Sequence, residues 1–139
     1  MHYVYDHYYL LEHRLMVFTH GDFHANNIVV KDGKYAGVID FERYKIDCPY
    51  HEFNKIELFS TVLSKEFARG VVDGYFQKKI PDDFWLIRSF YMARNIIFHI
   101  VWATDQFPDE FNHALRSVKR ILKEYENFTR TVPKWYVER

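Results

Sequence analysis

Apolar residues recur at helical spacing through the second two-thirds of the chain and cluster in short β-type runs before that. From Glu52 to about Gly70, Phe53, Ile56, Phe59, Leu63 and Phe67 keep one face apolar. After Pro81, with Asp82 and Asp83 as N-cap candidates, the positions Phe84, Ile87, Tyr91, Arg94, Phe98 and Val101 alternate spacings of 3 and 4. Arg94 is the one break in that stripe. Pro108-Asp109 opens a last helix whose face carries Phe111, Leu115, Val118, Leu122 and Tyr125. A period near 3.6 with these start signals predicts three long helical stretches. The aromatic positions Phe53, Phe59, Phe67, Phe84, Phe98 and Phe111 are expected in the core.

The first third reads differently. Val4, Tyr8, Leu11 and Leu15 form a helical stripe, and Met16 to Thr19 reads as a short strand. Ile28 to Lys31 and Lys34 to Ile39 flank Asp32-Gly33. An Asp-Gly pair between β-type runs signals a two-residue type I′ turn, because both central residues need positive φ. With that turn, facing residues sum to 65: Lys31 meets Lys34, Ile28 meets Gly37 and Asn27 meets Val38. Asp40 then projects just past the end of the ladder where Asn27 enters it. The predicted fold is α+β, mainly α: a short β-hairpin followed by a helical bundle. A two-stranded hairpin is marginal alone in water and is expected to pack against the helices.

Composition narrows the class. The 139 residues suit a single domain spanning 1–139, and 48% are apolar, with 13 Phe, 11 Tyr and 3 Trp, too many for a disordered chain. Nineteen basic and nineteen acidic side chains cancel, so no net field favours nucleic acid or an anionic membrane as a partner. Cys48 stands alone, which suits a reducing compartment. The first residues lack the basic start and cleavage site of a signal peptide, and the most apolar helix is interrupted by Arg88, Arg94, Asn95 and His99. A cytoplasmic location is expected.

Candidate chemistry is concentrated in His20-Gly21-Asp22-Phe23-His24-Ala25-Asn26-Asn27, followed by Asp40. The hairpin brings an amide oxygen from Asn27 and a carboxylate from Asp40 to one rim, with Asp22 on the loop leading in. Hard oxygen ligands with open positions suit Mg²⁺, which completes its shell with water and substrate phosphates. The pattern His20-Gly21-Asp22, then Asn27, then a hairpin and Ile39-Asp40-Phe41, resembles the catalytic core of the aminoglycoside phosphotransferase family and its choline-kinase-like relatives.

That resemblance implies the C-terminal lobe of a protein-kinase-like fold and phosphotransfer from ATP or GTP to a hydroxyl of a small molecule. It implies Asp22 as the catalytic aspartate, Asn27 and Asp40 as the residues holding Mg²⁺ and nucleotide phosphates, and His20 as a brace of the loop. His24 falls where many members carry a histidine, and Glu52 where they commonly carry a second aspartate. The usual Gly-Asp-Pro reads Asp47-Cys48-Pro49 here, a change expected to affect loop rigidity. Trp102 and Asp105, with Asp109 and Glu110, are weaker candidates for a cationic acceptor pocket, or else a solvated helix end. Only 19 residues precede His20, too few for the β-rich nucleotide lobe of such kinases. The expectation is that the chain alone turns over poorly or not at all.

Two alternatives follow. One is a non-catalytic lobe that binds or forms a homodimer, which fifteen or more exposed aromatic side chains would support. The other is a metallohydrolase in which His20, Asp22 and His24 share one side of a strand and hold Zn²⁺ with Asp40. Cys48 is expected as a small buried residue rather than a nucleophile.

Overall fold

The computed structural model describes residues 2–138. In chain order it contains helix α1 (His2–Asp6), strands β1 (Val17–Thr19), β2 (Ile28–Lys31), β3 (Lys34–Val38) and β4 (Lys45–Asp47), and helices α2 (Phe53–Lys55), α3 (Thr61–Leu63), α4 (Lys65–Tyr75), α5 (Phe84–Gln106), α6 (Phe111–Glu124) and α7 (Lys134–Val137). A π-helical segment, Ile56–Ser60, joins α2 to α3, and short 3₁₀ turns fill several connections. The class is α+β, mainly α, as the sequence pattern predicts. The chain divides into two compact units, one comprising Met1–Glu12 and Pro81–Arg139 and the other His13–Ile80.

The His13–Ile80 unit carries both two-stranded sheets. Strand β1 pairs antiparallel with β4, matching Phe18 to Ile46. The sequence showed β1 but not its partner. Strands β2 and β3 form the expected hairpin, with Lys31 opposite Lys34 and positive φ at both Asp32 (51°) and Gly33 (72°). The register departs from the expected one further along. Tyr35 faces Val30, but Gly37 faces Val29 and Val38 faces Ile28, so Ala36 is an extra residue on β3. A bulge of this kind shifts every later pair by one. Asn27 therefore meets Ile39, whose N–H donates to the Asn27 carbonyl at 3.0 Å, and Asp40 follows at once. The hairpin is also more exposed than expected, leaving Val29, Val30 and Tyr35 open to solvent.

The stretch from Glu52 to Gly70 is not one helix. It breaks at Ser64, whose extended backbone and side-chain oxygen, accepting from the Phe67 N–H at 3.0 Å, make it the N-cap of α4. Ile56, Leu58, Phe53, Ala68, Val72 and Cys48 form this unit's buried core. Phe59 and Phe67 are only half-buried.

In the other unit the first predicted helix is cut short. α1 ends at Asp6, a 3₁₀ turn follows over Tyr8–Leu11, and Leu15, beyond the unit, is exposed. The Tyr3 hydroxyl lies 2.6 Å from the Ser89 hydroxyl, tying α1 to α5. Helix α5 contributes Phe84, Ile87, Phe90, Tyr91 and Met92 to a core completed by Ile121, Tyr125 and Trp135. Past Arg94 the predicted stripe turns to solvent: Phe98 is 66% and Val101 58% exposed, contrary to the expectation that Phe98 is core. Phe111 is half-buried.

Candidate functional site

Strand β1 ends at Thr19, and residues 20–27 form a loop closed by a 3₁₀ turn over Ala25–Asn27. His20 is buried and uses both ring nitrogens. Its Nδ1 accepts from the Asp22 N–H at 3.2 Å, which leaves Nε2–H to donate to the Ile39 carbonyl at 2.8 Å. One imidazole thus fixes the loop at Asp22 to the hairpin one residue before Asp40.

Glu52 anchors the other side of the loop. Its carboxylate accepts from the His20 N–H at 2.5 Å and from the Gly21 N–H at 3.0 Å. Two successive N–H groups on one carboxylate require a sharp turn, and Gly21 supplies it with φ of 78°. A Cβ there would also overlap the Arg43 carbonyl, so the position excludes side chains on two counts.

Asn27 is buried, and its side-chain Nδ2 donates to the Asp22 carbonyl at 3.0 Å. With the amide nitrogen engaged in this way, Oδ1 is the end left to serve as a hard oxygen ligand. Asp40 is exposed and left-handed, φ 68°, a conformation Asp tolerates better than most residues. Asp22, Asn27 and Asp40 are therefore linked through three bonds: Asn27 to Asp22, Ile39 to Asn27, and His20 to Ile39. The Asp40 carboxylate and the Asn27 amide oxygen are hard donors of the kind Mg²⁺ takes, an ion that binds one or two protein carboxylates and fills its shell from phosphate and water.

Helix α2 and the π-helical segment add groups that the sequence reading missed. The Lys55 Nζ lies 3.3 Å from Asp22 Oδ1 and 5.3 Å from the centre of the Phe59 ring. Phe59 meets the His24 ring edge-on, and the Ser60 hydroxyl accepts from the Ala25 N–H at 3.0 Å. The usable signal was the spacing of Glu52 and Lys55, three apart on a helix and so on one face.

His24 places Nε2 3.9 Å from Asp22 Oδ2, while its Nδ1 is buried without a partner. Burial holds its pKa below the usual histidine value; Asp22 pulls it up, and Lys55 and His20 push it further down. Asp40 also acts on this ring, which puts both carboxylates in one electrostatic neighbourhood.

The zinc arrangement is not formed. Residues 20–24 run as a loop rather than a strand, His20 has no free nitrogen, and among the described residues no three His, Cys, Asp or Glu side chains come together to hold a metal. At the end of β4, Asp47 bonds the Cys48 N–H at 2.7 Å, His51 Nδ1 at 2.5 Å and Lys45 Nζ at 2.6 Å. Burial pushes the Asp47 carboxyl up, but these partners outweigh it and hold the pKa at about 2. Cys48 is buried.

Trp102 and Asp105 belong to the other unit, at the C-terminal end of α5. Trp102 stacks against His99 and packs on Phe107, and the exposed Asp105 accepts from Gln106. Asp109 and Glu110 occupy the exposed 3₁₀ turn leading into α6. Ten aromatic side chains are exposed among the described residues. No described helix is long and apolar enough to cross a membrane.

Residues 7–85 match the model of the phosphotransferase enzyme family, a span that contains the loop, the hairpin and Glu52. No curated protein and no solved structure matches the chain. Because the match covers more than half of the sequence and includes every residue of the linked loop and hairpin, the chain belongs to the phosphotransferase enzyme family.

Proposed function

We propose that the His13–Ile80 unit is the catalytic portion of a kinase-like C-terminal lobe that transfers the γ-phosphoryl group of ATP or GTP to a hydroxyl of a small molecule. The supporting observation is the bond from Asn27 Nδ2 to the Asp22 carbonyl, which ties the proton-accepting residue to the metal-holding rim. Asp22 orients the acceptor hydroxyl through its carboxylate and takes the proton as the new bond forms. Asn27 and Asp40 would hold Mg²⁺. When bound, the ion supplies charge neutralisation at the phosphate oxygens, the dominant need of a loose phosphoryl-transfer transition state. His20 and Glu52 act by position: they fix the backbone on either side of Asp22 so that little reorganisation accompanies the reaction.

The acceptor class is a small molecule bearing a hydroxyl, aminoglycoside-like or related. The test is Mg²⁺-dependent consumption of ATP and GTP across a panel of aminoglycoside, amino-alcohol and sugar acceptors, comparing the chain with Asp22→Asn. Slow consumption that Asp22→Asn abolishes supports the assignment. Equal rates in the two chains contradict it.

A further inference from the structure

We propose that Lys55 is a phosphoryl-binding cation: it pairs with Asp22 in the resting site and transfers to the γ-phosphoryl oxygens when a nucleoside triphosphate enters. The inference rests on the phosphotransfer reading of Asp22, Asn27 and Asp40.

Three features carry it. The first is position. An acceptor hydroxyl served by Asp22 sits within about 3 Å of its carboxylate, so the phosphorus under attack lies only a bond or so beyond. Lys55 Nζ, already 3.3 Å from Asp22 Oδ1, stands in that same small volume. The second is mounting. The side chain is 26% exposed and holds its ammonium over the Phe59 ring, and Phe59 itself packs on His24 of the loop. An aromatic face beside an ammonium on a flexible stem lets the charge pivot a few ångströms without losing its place. The third is the charge itself. A lysine is a compact charge with three rotatable donors, suited to the spread charge of a transferring phosphoryl group.

The resting pair also has a consequence. Asp22 Oδ1 is occupied by Lys55 until phosphate draws the ammonium away, so the oxygen is freed for the acceptor only when the donor is present. In the transfer, the acceptor oxygen bonds the γ-phosphorus as its proton passes to Asp22. The bridging bond between the β- and γ-phosphates breaks, and its electron pair leaves with the nucleoside diphosphate. Lys55 keeps its proton throughout.

The experiment is calorimetric and needs no turnover. Mg²⁺·AMP-PNP is titrated against Mg²⁺·ADP, with the guanine pair Mg²⁺·GMP-PNP and Mg²⁺·GDP in parallel. Titrations use the unsubstituted chain, Lys55→Met, Lys55→Gln and Lys55→Arg. The neutral variants are expected to lose about tenfold in affinity for the triphosphate analogue while the diphosphate changes by less than about twofold. Lys55→Arg is expected to keep most of the difference between the two. Equal loss for both nucleotides, or no loss for either, overturns the role of Lys55 while leaving the phosphotransfer reading standing. Failure of the unsubstituted chain to bind any of the four nucleotides overturns the phosphotransfer reading and this inference with it.

Discussion

Removing the Glu52 carboxylate tests whether the loop that carries Asp22 is held by this one side chain. Its two oxygens serve the His20 N–H at 2.5 Å and the Gly21 N–H at 3.0 and 3.3 Å. A hydrogen bond to a charged group contributes about 1.5–3 kcal/mol. Two donors lose their acceptor in Glu52→Ala, but the site is only half-buried and water takes over part of the role. The net loss should be about 2–4 kcal/mol, or roughly 5–12 °C in Tm for a chain of this size. Glu52→Gln keeps an acceptor oxygen without the charge and should lose about 1–2 kcal/mol. Glu52→Asp keeps the charge but is shorter by one methylene, so it should behave more like Ala than like Gln. Urea unfolding followed by far-ultraviolet circular dichroism measures all three. A Glu52→Ala loss below about 0.5 kcal/mol, the range of an ordinary surface change, would refute the bracing role.

Two further perturbations separate other parts of the account. Asp47 has a folded pKa of about 2 against an ordinary 3.8, so its contribution is present above the unfolded value and is lost as pH falls from about 4 towards 2. Allowing for solvent screening, Asp47→Asn should lower stability at pH 7 by about 1–2 kcal/mol, a deficit that shrinks across that window in thermal unfolding curves. Gly21→Ala meets both a positive φ and the Arg43 carbonyl, whereas Gly33→Ala meets a positive φ with nothing within 4 Å. The first should cost at least about 3 kcal/mol and the second only about 1 kcal/mol, so similar losses in chemical denaturation would count against the crowding at Gly21.

The parts of the fold legible in the sequence are those with local physical causes. Asp32-Gly33 announces its turn because few residue pairs accept positive φ twice. The alternating 3 and 4 spacing from Phe84 announces α5 because a buried helix face needs it. Strand β4 was not legible: Lys45-Ile46-Asp47 is too short to show a pattern, and its partner β1 lies more than 25 residues back. The hairpin register failed for a related reason. Residues 29–31 and 34–36 are exposed, so no buried face fixes which residues oppose each other, and a bulge at Ala36 went unseen. The stripe past Arg94 misled because periodicity states which residues share a face, not whether anything covers it.

The candidate site divides along the same line. Asp22, Asn27 and Asp40 lie close in sequence around one turn, so their association could be read from spacing. Lys55, Phe59 and Ser60 reach the loop from a helix 30 or more residues away, and the π-helical segment alters the spacing on which a face would be projected. Ser64 could have been read as a cap, since it begins Ser-Lys-Glu before an apolar run, but the continuous stripe from Phe53 to Phe67 hid the break.

The central claim is that Asp40 and Asn27 together hold a divalent ion on donor phosphates beside Asp22. Electron paramagnetic resonance of Mn²⁺, titrated with and without ATP or GTP, measures this directly. The account predicts Mn²⁺ binding that depends on nucleotide and weakens by about tenfold or more in both Asp40→Asn and Asn27→Ala, with Asp105→Asn unchanged. Nucleotide-dependent binding that survives both substitutions, or binding that ignores the nucleotide, would contradict it.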